Sequence, residues 1–347
     1  MEYPFKNIVI DGNGSKIISF SGTLIELEAR RILQNINKFA GVSYGSIIAI
    51  CLAVGYTGNE MSEILLNTNF NKFLDDKMII HKMDNSYGLC QGITALNFIK
   101  EKIKNKLKND KLTFQQLYDI TGNELVFVVT DITDNRIVYL SRHTTPDMEI
   151  ALGTRASMSI PFIYCPVKYK NHYLCDGGIG MNFPIQIFDG QFPQNMDNIY
   201  SAINKETLAL KILNQEVADN VISAADKSVT CTGTPSLIKS TKEATDNIRY
   251  GVHHIFHYSV SIISHMLKRT ELLSIKTGHW GRIFNVPSNV KSIGNLSKDE
   301  KIISKNISRK QSIIELDYFY KYKKFNNLFR YNIKYNINSP FKIKCKF

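Results

Sequence analysis

Three short segments of the sequence carry residue types and spacings that could do chemistry. Gly41-Val42-Ser43-Tyr44-Gly45 has the form G-x-S-x-G, which sets a serine on a sharp turn between a strand and a helix. Gly41 and Gly45 flank the serine for a steric reason. Its backbone is forced into a strained conformation, and side chains two residues to either side would collide with the neighbouring strand and helix. The N-terminus of the following helix favours negative charge near the serine oxygen. On its own, the pentapeptide is also compatible with a helix-capping turn. Gly12-Asn13-Gly14-Ser15-Lys16 follows an apolar run and opens a helix, so its backbone N–H groups can converge on an anion, either an oxyanion or a phosphate. It lacks the G-K-[ST] ending of a P-loop, and no acidic residue ends a plausible second strand about 20 residues on, which speaks against nucleotide binding. Asp176-Gly177-Gly178 follows the short apolar run Tyr173-Leu174-Cys175. An aspartate at a strand end beside two small residues has room to meet a second catalytic side chain, although Asp-Gly is also a strong hairpin-turn signal.

The elements around these segments alternate β-branched runs with helical patterns, the mark of a layered α/β sheet. Asn7 to Ile10 reads as a first strand. Ile18, Gly22, Ile25 and Ala29 then fall at helical spacing, with Glu26, Glu28, Arg30 and Arg31 on other faces. The residues from Ser46 form a buried apolar helix, Asn59 to Leu66 another, and Ile93 to Lys108 an amphipathic one. Leu125 to Thr130 is apolar enough for a central strand, and Ile137 to Leu140 and Thr207 to Leu210 are further strands. Beyond about residue 215 the pattern loosens: Gly251 to Ile275 is the best helix, Asn285 to Asn295 is turn-rich, and Ser304 to Tyr322 is a last amphipathic helix.

An apolar fraction of 44% and a charged fraction of 21% place the 347-residue chain among ordinary globular proteins and set disorder aside. The net charge of +12 is unevenly held: residues 1–200 carry 19 Lys and Arg against 20 Asp and Glu, and residues 201–347 carry 24 against 11. From Lys321 to Phe347 there is no acidic residue, only Lys and Arg among Phe, Tyr and Asn. The six cysteines, Cys51, Cys90, Cys165, Cys175, Cys231 and Cys345, show no CxxC pair and read as free thiols. With no secretory leader and no apolar run near the ~18 residues of a membrane span, an intracellular location is expected, cytoplasmic or peripheral to a membrane. His253, His254 or His257 lies in the right order to complete a Ser-Asp-His triad, ranked here below a two-residue arrangement. His172 reads as a loop residue on a hairpin. The His253-His254-Ile255-Phe256-His257 run lacks a glutamate where a zinc protease needs one, so no metal site is assigned.

Seven ordered blocks together resemble the patatin-like phospholipases: the loop at 12–16, Gly22, GVSYGS at 41–46, GYTGNEMSEILLNTNFNKFLD at 55–75, LTFQQLYDITGNELVFVVTDI at 112–132, GTRASMSIPF at 153–162 and YLCDGGIGMNFPI at 173–185. The resemblance covers residues 5–215 as a phospholipase domain and leaves 216–347 as a mainly helical, basic C-terminal extension. It implies a three-layer α/β/α patatin-like fold and hydrolysis of phospholipid acyl esters by a Ser-Asp dyad, with Ser43 as nucleophile and Asp176 as base. Gly12 to Lys16 would supply the oxyanion donors, Gly177 and Gly178 would complete the base motif, and no metal or organic cofactor is called for. The family's loop is G-G-G-x-[KR]-G, whereas Asn13 and Ile17 stand here at two of its glycines. Asn tolerates positive φ best among non-glycine residues, so Asn13 is expected to keep the turn and either to obstruct the oxyanion site or to donate to it. The alternative function is a catalytically impaired member acting as a membrane- or partner-binding module. Beside such a domain, the basic aromatic tail reads as a solvated extension or as peripheral contact with anionic membranes, and no nucleic-acid partner is expected.

Overall fold

The computed structural model describes residues 2–75, 87–194, 201–214, 253–275, 277–288 and 296–325. Its main sheet is built from β1 (Asn7–Ile10), β2 (Lys38–Val42), β4 (Glu124–Asp131), β5 (Arg136–Leu140), β7 (Val167–Tyr169), β8 (His172–Asp176), β9 (Thr207–Asn214) and β10 (Ile283–Ser288). β3 (Gly88–Cys90) and β6 (Phe162–Tyr164) form a separate parallel pair. The order in the main sheet is β10-β9-β1-β2-β4-β8-β7, with β5 on the other edge of β4. The first five are mutually parallel, which requires helical crossovers, and α1 (Phe20–Ala29) and α2 (Gly45–Ala53) follow β1 and β2 directly. The apolar run that marks β4 is buried from Glu124 to Thr130's neighbour Val129, as a central strand requires.

The register of β4 creates the feature that matters most. On one edge of β4, β2 pairs in parallel as far as Val42 opposite Val128. On that same edge β8 runs in the opposite direction and ends with Asp176 opposite Val129. The other edge at Val129 is taken by Val138 of β5, so β2 and β8 must abut end to end. Ser43, next after Val42, and Asp176, last of β8, therefore stand at one joint. Gly177 would continue along β4 into the place β2 already holds, and a Cβ there would strike the Val128 carbonyl, so the chain turns away into α7 (Gly178–Met181).

One sheet face is covered by helices: α1, α2, α3 (Gly58–Asn67), α4 (Ile93–Leu107), α5 (Phe114–Thr121) and α6 (Ile150–Ser157) pack on Ile8, Ile10, Phe39, Leu125 and Phe127. The other face, with Val9, Ala40, Val42, Val126 and Val128, is covered by Met181 to Phe188 together with Tyr139 and Trp280. The chain is thus a mixed α/β sheet between helical and partly irregular layers.

The C-terminal part is built into this body. β10 continues the sheet as an edge strand beside β9, so the 215/216 division falls between two paired strands. The turn-rich reading of Asn285 to Asn295 is overturned over Asn285 to Ser288: Pro287 is tolerated because β10 has no outer strand neighbour among the described residues. After α8 (His253–Leu273), α9 (Lys298–Tyr322) starts earlier than its apolar pattern indicates, because Ser297 and Glu300 form a capping box. α9 lies across α1 so closely that a Cβ on Gly22 would meet the Lys305 carbonyl, and the Gly22 N–H donates to Ser308 Oγ at 3.2 Å. Phe325, counted among the tail's aromatic residues, is buried against Phe5, Phe284 and Phe319 and is a core residue. Phe329, Tyr331 and Tyr335 lie outside the described residues.

Candidate active site

Ser43 has φ of +51°, in the left-handed region that costs a non-glycine residue about 1 kcal/mol or more. Three bonds hold it there. The Ser43 N–H donates to Ser157 Oγ at 2.9 Å, Ser157 Oγ in turn donates to the Val128 carbonyl at 2.7 Å, and Ser46 Oγ donates to the Ser43 carbonyl at 2.5 Å. Gly45 is small because β1 passes beside it, and a Cβ would overlap the Asp11 carbonyl. At Gly41 a Cβ would lie 2.7 Å from Ser46 Cα.

Ser43 Oγ donates to Asp176 Oδ2 at 2.6 Å, and the Gly178 N–H donates to Asp176 Oδ1 at 2.8 Å. Asp176 is fully buried, and that burial pushes its carboxyl up to about 7, against the smaller downward pull of the bonds from Ser43 and Gly178. Its N–H donates to the Ser159 carbonyl at 2.8 Å, and Thr130 Oγ1 donates to its carbonyl at 3.0 Å. The hydroxyl of Ser159 accepts from Arg155 Nη1 at 2.5 Å, while Arg155 Nη2 reaches the Gln91 carbonyl at 2.6 Å. The segment Gly153 to Ser159 therefore touches both members of the pair: Ser157 holds the backbone of Ser43, and Ser159 holds that of Asp176. These holding residues went unassigned in the sequence because a serine bonding a distant backbone leaves no local spacing signal.

The loop at 12–16 departs from the expectation in three ways. Asn13 sits at φ −141°, and the left-handed residue is Gly14 at φ +52°, so Asn13 needs no tolerance of positive φ. Its Nδ2 donates to Asp11 Oδ2 at 2.7 Å, which draws the side chain toward Asp11. The Gly12 N–H is already engaged with the Asn182 carbonyl at 3.2 Å, while Asn182 Nδ2 donates to the Gly12 carbonyl at 2.8 Å. Gly12 itself is wedged between Ser43 and Asn182, since a Cβ would lie 2.8 Å from Ser43 Cβ and 2.6 Å from Asn182 Oδ1. Asp11 is buried, accepts also from the Ile212 N–H at 3.1 Å, and lies 4.0 Å from Lys211 Nζ. Desolvation nevertheless pushes its carboxyl up to about 6. Ser15 and Lys16 belong to the short 3-10 turn Gly14–Ser19 that leads into α1, Ser15 buried and Lys16 half-buried.

Three of the described histidines pair elsewhere, and His265 lies exposed on α8. His143 lies 3.4 Å from Glu124, and His279 lies 3.7 Å from Asp189. His172 is the first residue of β8, where Nδ1 is 2.9 Å from Asp131 Oδ2. Asp131, Asp134 and His172 bring three possible ligand atoms within 4.8 Å of one another, but Arg136 already contacts both carboxylates at 3.5 and 3.4 Å. The side chains of His253, His254 and His257 lie outside the described residues, as do Cys231 and Cys345. Cys51, Cys90, Cys165 and Cys175 are free thiols. Among the described residues no helix is long and apolar enough to cross a membrane.

A family model described as patatin-like phospholipase matches residues 8–189, more than half of the chain. The chain belongs to the patatin-like phospholipase family. The match encloses the loop, the elbow, the 153–159 segment and the Asp-Gly-Gly turn. A probable lipid hydrolase, 463L, of invertebrate iridescent virus 6 is 32% identical over 184 residues, covering 53% of this chain and 63% of that protein. The uncharacterized protein R571 of Acanthamoeba polyphaga mimivirus is 28% identical over 227 residues, covering 64% of this chain and 75% of its own. Among solved structures, VipD from Legionella pneumophila is similar at 17% identity and a TM-score of 0.48, covering 91% of this chain and 67% of that one. The fold assignment rests on the family match and the sheet order.

Proposed function

We propose that this protein hydrolyses acyl esters of phospholipids, with Ser43 as the nucleophile and Asp176 as the base. The observation that carries the reading is the 2.6 Å bond from Ser43 Oγ to a fully buried carboxylate, made from a strained strand-to-helix turn. As Ser43 Oγ attacks the ester carbonyl carbon, its proton passes to Asp176 Oδ2 and the carbonyl oxygen becomes an oxyanion. Collapse of the tetrahedral intermediate breaks the C–O bond to the alcohol, which leaves with the proton from Asp176. Water then attacks the acyl-serine, gives its proton to Asp176, and frees the fatty acid as the proton returns to Ser43. An unperturbed aspartate near 3.9 is a weak base for a serine hydroxyl, and desolvation to about 7 brings Asp176 close to neutral operating conditions. With the Gly12 N–H engaged by Asn182, the oxyanion donors in this reading are the N–H groups of Asn13, Gly14 and Ser15.

The deciding experiment is labelling by a fluorophosphonate probe together with release of free fatty acid from mixed phospholipids. Wild-type protein should do both and Ser43→Ala neither; equal labelling of the two would remove Ser43 from the role. A second reading is a catalytically weak member that binds membranes or a partner. It is favoured by the engagement of the Gly12 N–H and by Ser43 being only 4% exposed. Probe labelling without turnover on any lipid would support it. The basic C-terminal part is proposed to bring either form to anionic surfaces, as its charge suggests. Because Phe325 belongs to the core, the tail is tested by ending the chain after Phe325, which should weaken binding to anionic liposomes at low salt and leave soluble-ester hydrolysis intact. Unchanged binding would return the tail to a solvated extension.

A further inference from the structure

The helix α8 has two faces that do different things. Its inner face closes over the candidate site. The Leu267 side chain packs on Gly178, the residue whose N–H holds Asp176, so tightly that a Cβ there would lie 2.5 Å from Leu267 Cδ2. Thr270 Oγ1 donates to the Gly178 carbonyl at 2.7 Å and accepts from the Asn182 N–H at 3.3 Å, and Asn182 in turn bonds Gly12 of the loop. Ile263 is buried beneath the same helix.

The outer face carries Tyr258, Ile262 and Met266, exposed to 55%, 44% and 40%. Spaced by four, they form one stripe about 12 Å long at 1.5 Å per residue. Three large apolar side chains on one helix face without a partner among the described residues ask for an occupant. Charge indicates which: the helix carries Lys268 and Arg269 against a single acidic residue, Glu271, and Arg269 is exposed on the same side as the stripe. An amphipathic helix of this kind, apolar on one stripe and cationic at its flank, fits an anionic lipid surface, where the apolar side chains enter the headgroup boundary and the cations meet phosphate.

We infer that α8 docks on an anionic lipid surface through the Tyr258, Ile262 and Met266 stripe. The helix that meets the lipid is then the same one that lies against the Asp-Gly-Gly turn, so docking sets the buried Ser43 beside the phase that holds its substrate. This inference rests on the lipid-hydrolase reading for its meaning, but its test does not require turnover.

The test uses full-length protein carrying Ser43→Ala, so that binding is read without hydrolysis, sedimented with vesicles of phosphatidylcholine containing phosphatidylserine. Adding Ile262→Ser and Met266→Ser should weaken binding at least about tenfold, the factor that follows from losing roughly 1.4 kcal/mol. Ile302→Ser with Ile303→Ser, a matched loss of exposed apolar surface on α9, should leave binding unchanged. In the Ser43 background, the α8 pair should retain hydrolysis of a soluble short-chain ester, which checks its fold. Equal vesicle binding by the α8 pair and its parent overturns the inference, as does an equal loss from the α9 pair. If the protein ignores every vesicle but elutes as a dimer that the α8 pair dissolves, the stripe is a contact between copies and the inference falls. Loss of soluble-ester hydrolysis in unaltered protein would instead count against the hydrolase reading and leave the sedimentation result standing.

Discussion

The joint where Ser43 meets Asp176 and the glycine loop that faces it are held in different ways. At the joint, each backbone is fixed by a neighbour inside the segment that matches the family model: Ser43 by Ser157, Asp176 by Ser159, and both through the edge of β4. At the loop, support comes through side chains and reaches outside that segment. Asn13 bonds Asp11, Asp11 accepts from Ile212 on β9, and Asn182, which holds Gly12, is itself held by Thr270 on α8. The contrast teaches that Ser43 and Asp176 are fixed by the sheet, whereas the placing of the glycine loop depends on contacts that reach beyond the segment matching the family model.

The strongest way to break that comparison is at the joint. Asp176→Asn should lower kcat by roughly 10²–10⁴, since the amide keeps the shape and loses the proton acceptor. The same variant should be more stable, and the sign follows from the raised carboxyl. A folded-state pKa of about 7 against an ordinary 3.8 means that this group's stabilising contribution is complete below about pH 4 and is lost as pH rises through 7. Asn carries no such loss, so its advantage in thermal unfolding should grow between pH 5 and 8, toward an upper bound of about 4 kcal/mol. A variant that is inactive but no more stable at pH 8 would show that Asp176 is not held as a costly buried carboxylate.

Ser157→Ala comes next. It strands the Ser43 N–H and lets the strained turn relax, an effect of about 1–3 kcal/mol for a buried donor without its partner. A fall in kcat of about ten- to a hundredfold is expected, with KM little changed. Ser157→Thr, which keeps the hydroxyl, should restore part of it. If Ala and Thr behave alike, the hydroxyl is not what positions the nucleophile.

On the loop side, Asn13→Gly restores the family residue and yet should lower turnover, by about tenfold, because it removes the bond to Asp11 and loosens the loop. An increase would mean that Asn13 is an impediment and that the loop needs no side-chain support. The pH profile of wild-type protein needs no substitution and sharpens the same comparison. kcat/KM should climb tenfold per pH unit below about 7 and level off above it, as the ionised base requires. A profile flat from pH 5 to 8 would separate the rate from the Asp176 carboxyl.

The sequence by itself determined the elements and the chemistry-bearing turns, because those depend on local rules. Glycines flank Ser43 where a neighbour passes too close for a Cβ, and a continuous apolar run makes β4 the centre of the sheet. The same local rules misled where the deciding contact is distant. Asn and Pro disguised β10 as turns, and a basic neighbourhood disguised the core residue Phe325 as tail. Only the tertiary structure decided that β2 and β8 abut on one edge of β4, which is what turns an isolated Ser-Gly pattern and an isolated Asp-Gly turn into a bonded pair. It also decided the desolvation of Asp176 and the engagement of Gly12. The Ser43–Asp176 and Asn182–Gly12 bonds join residues more than a hundred positions apart in the chain, and no spacing within a motif records them.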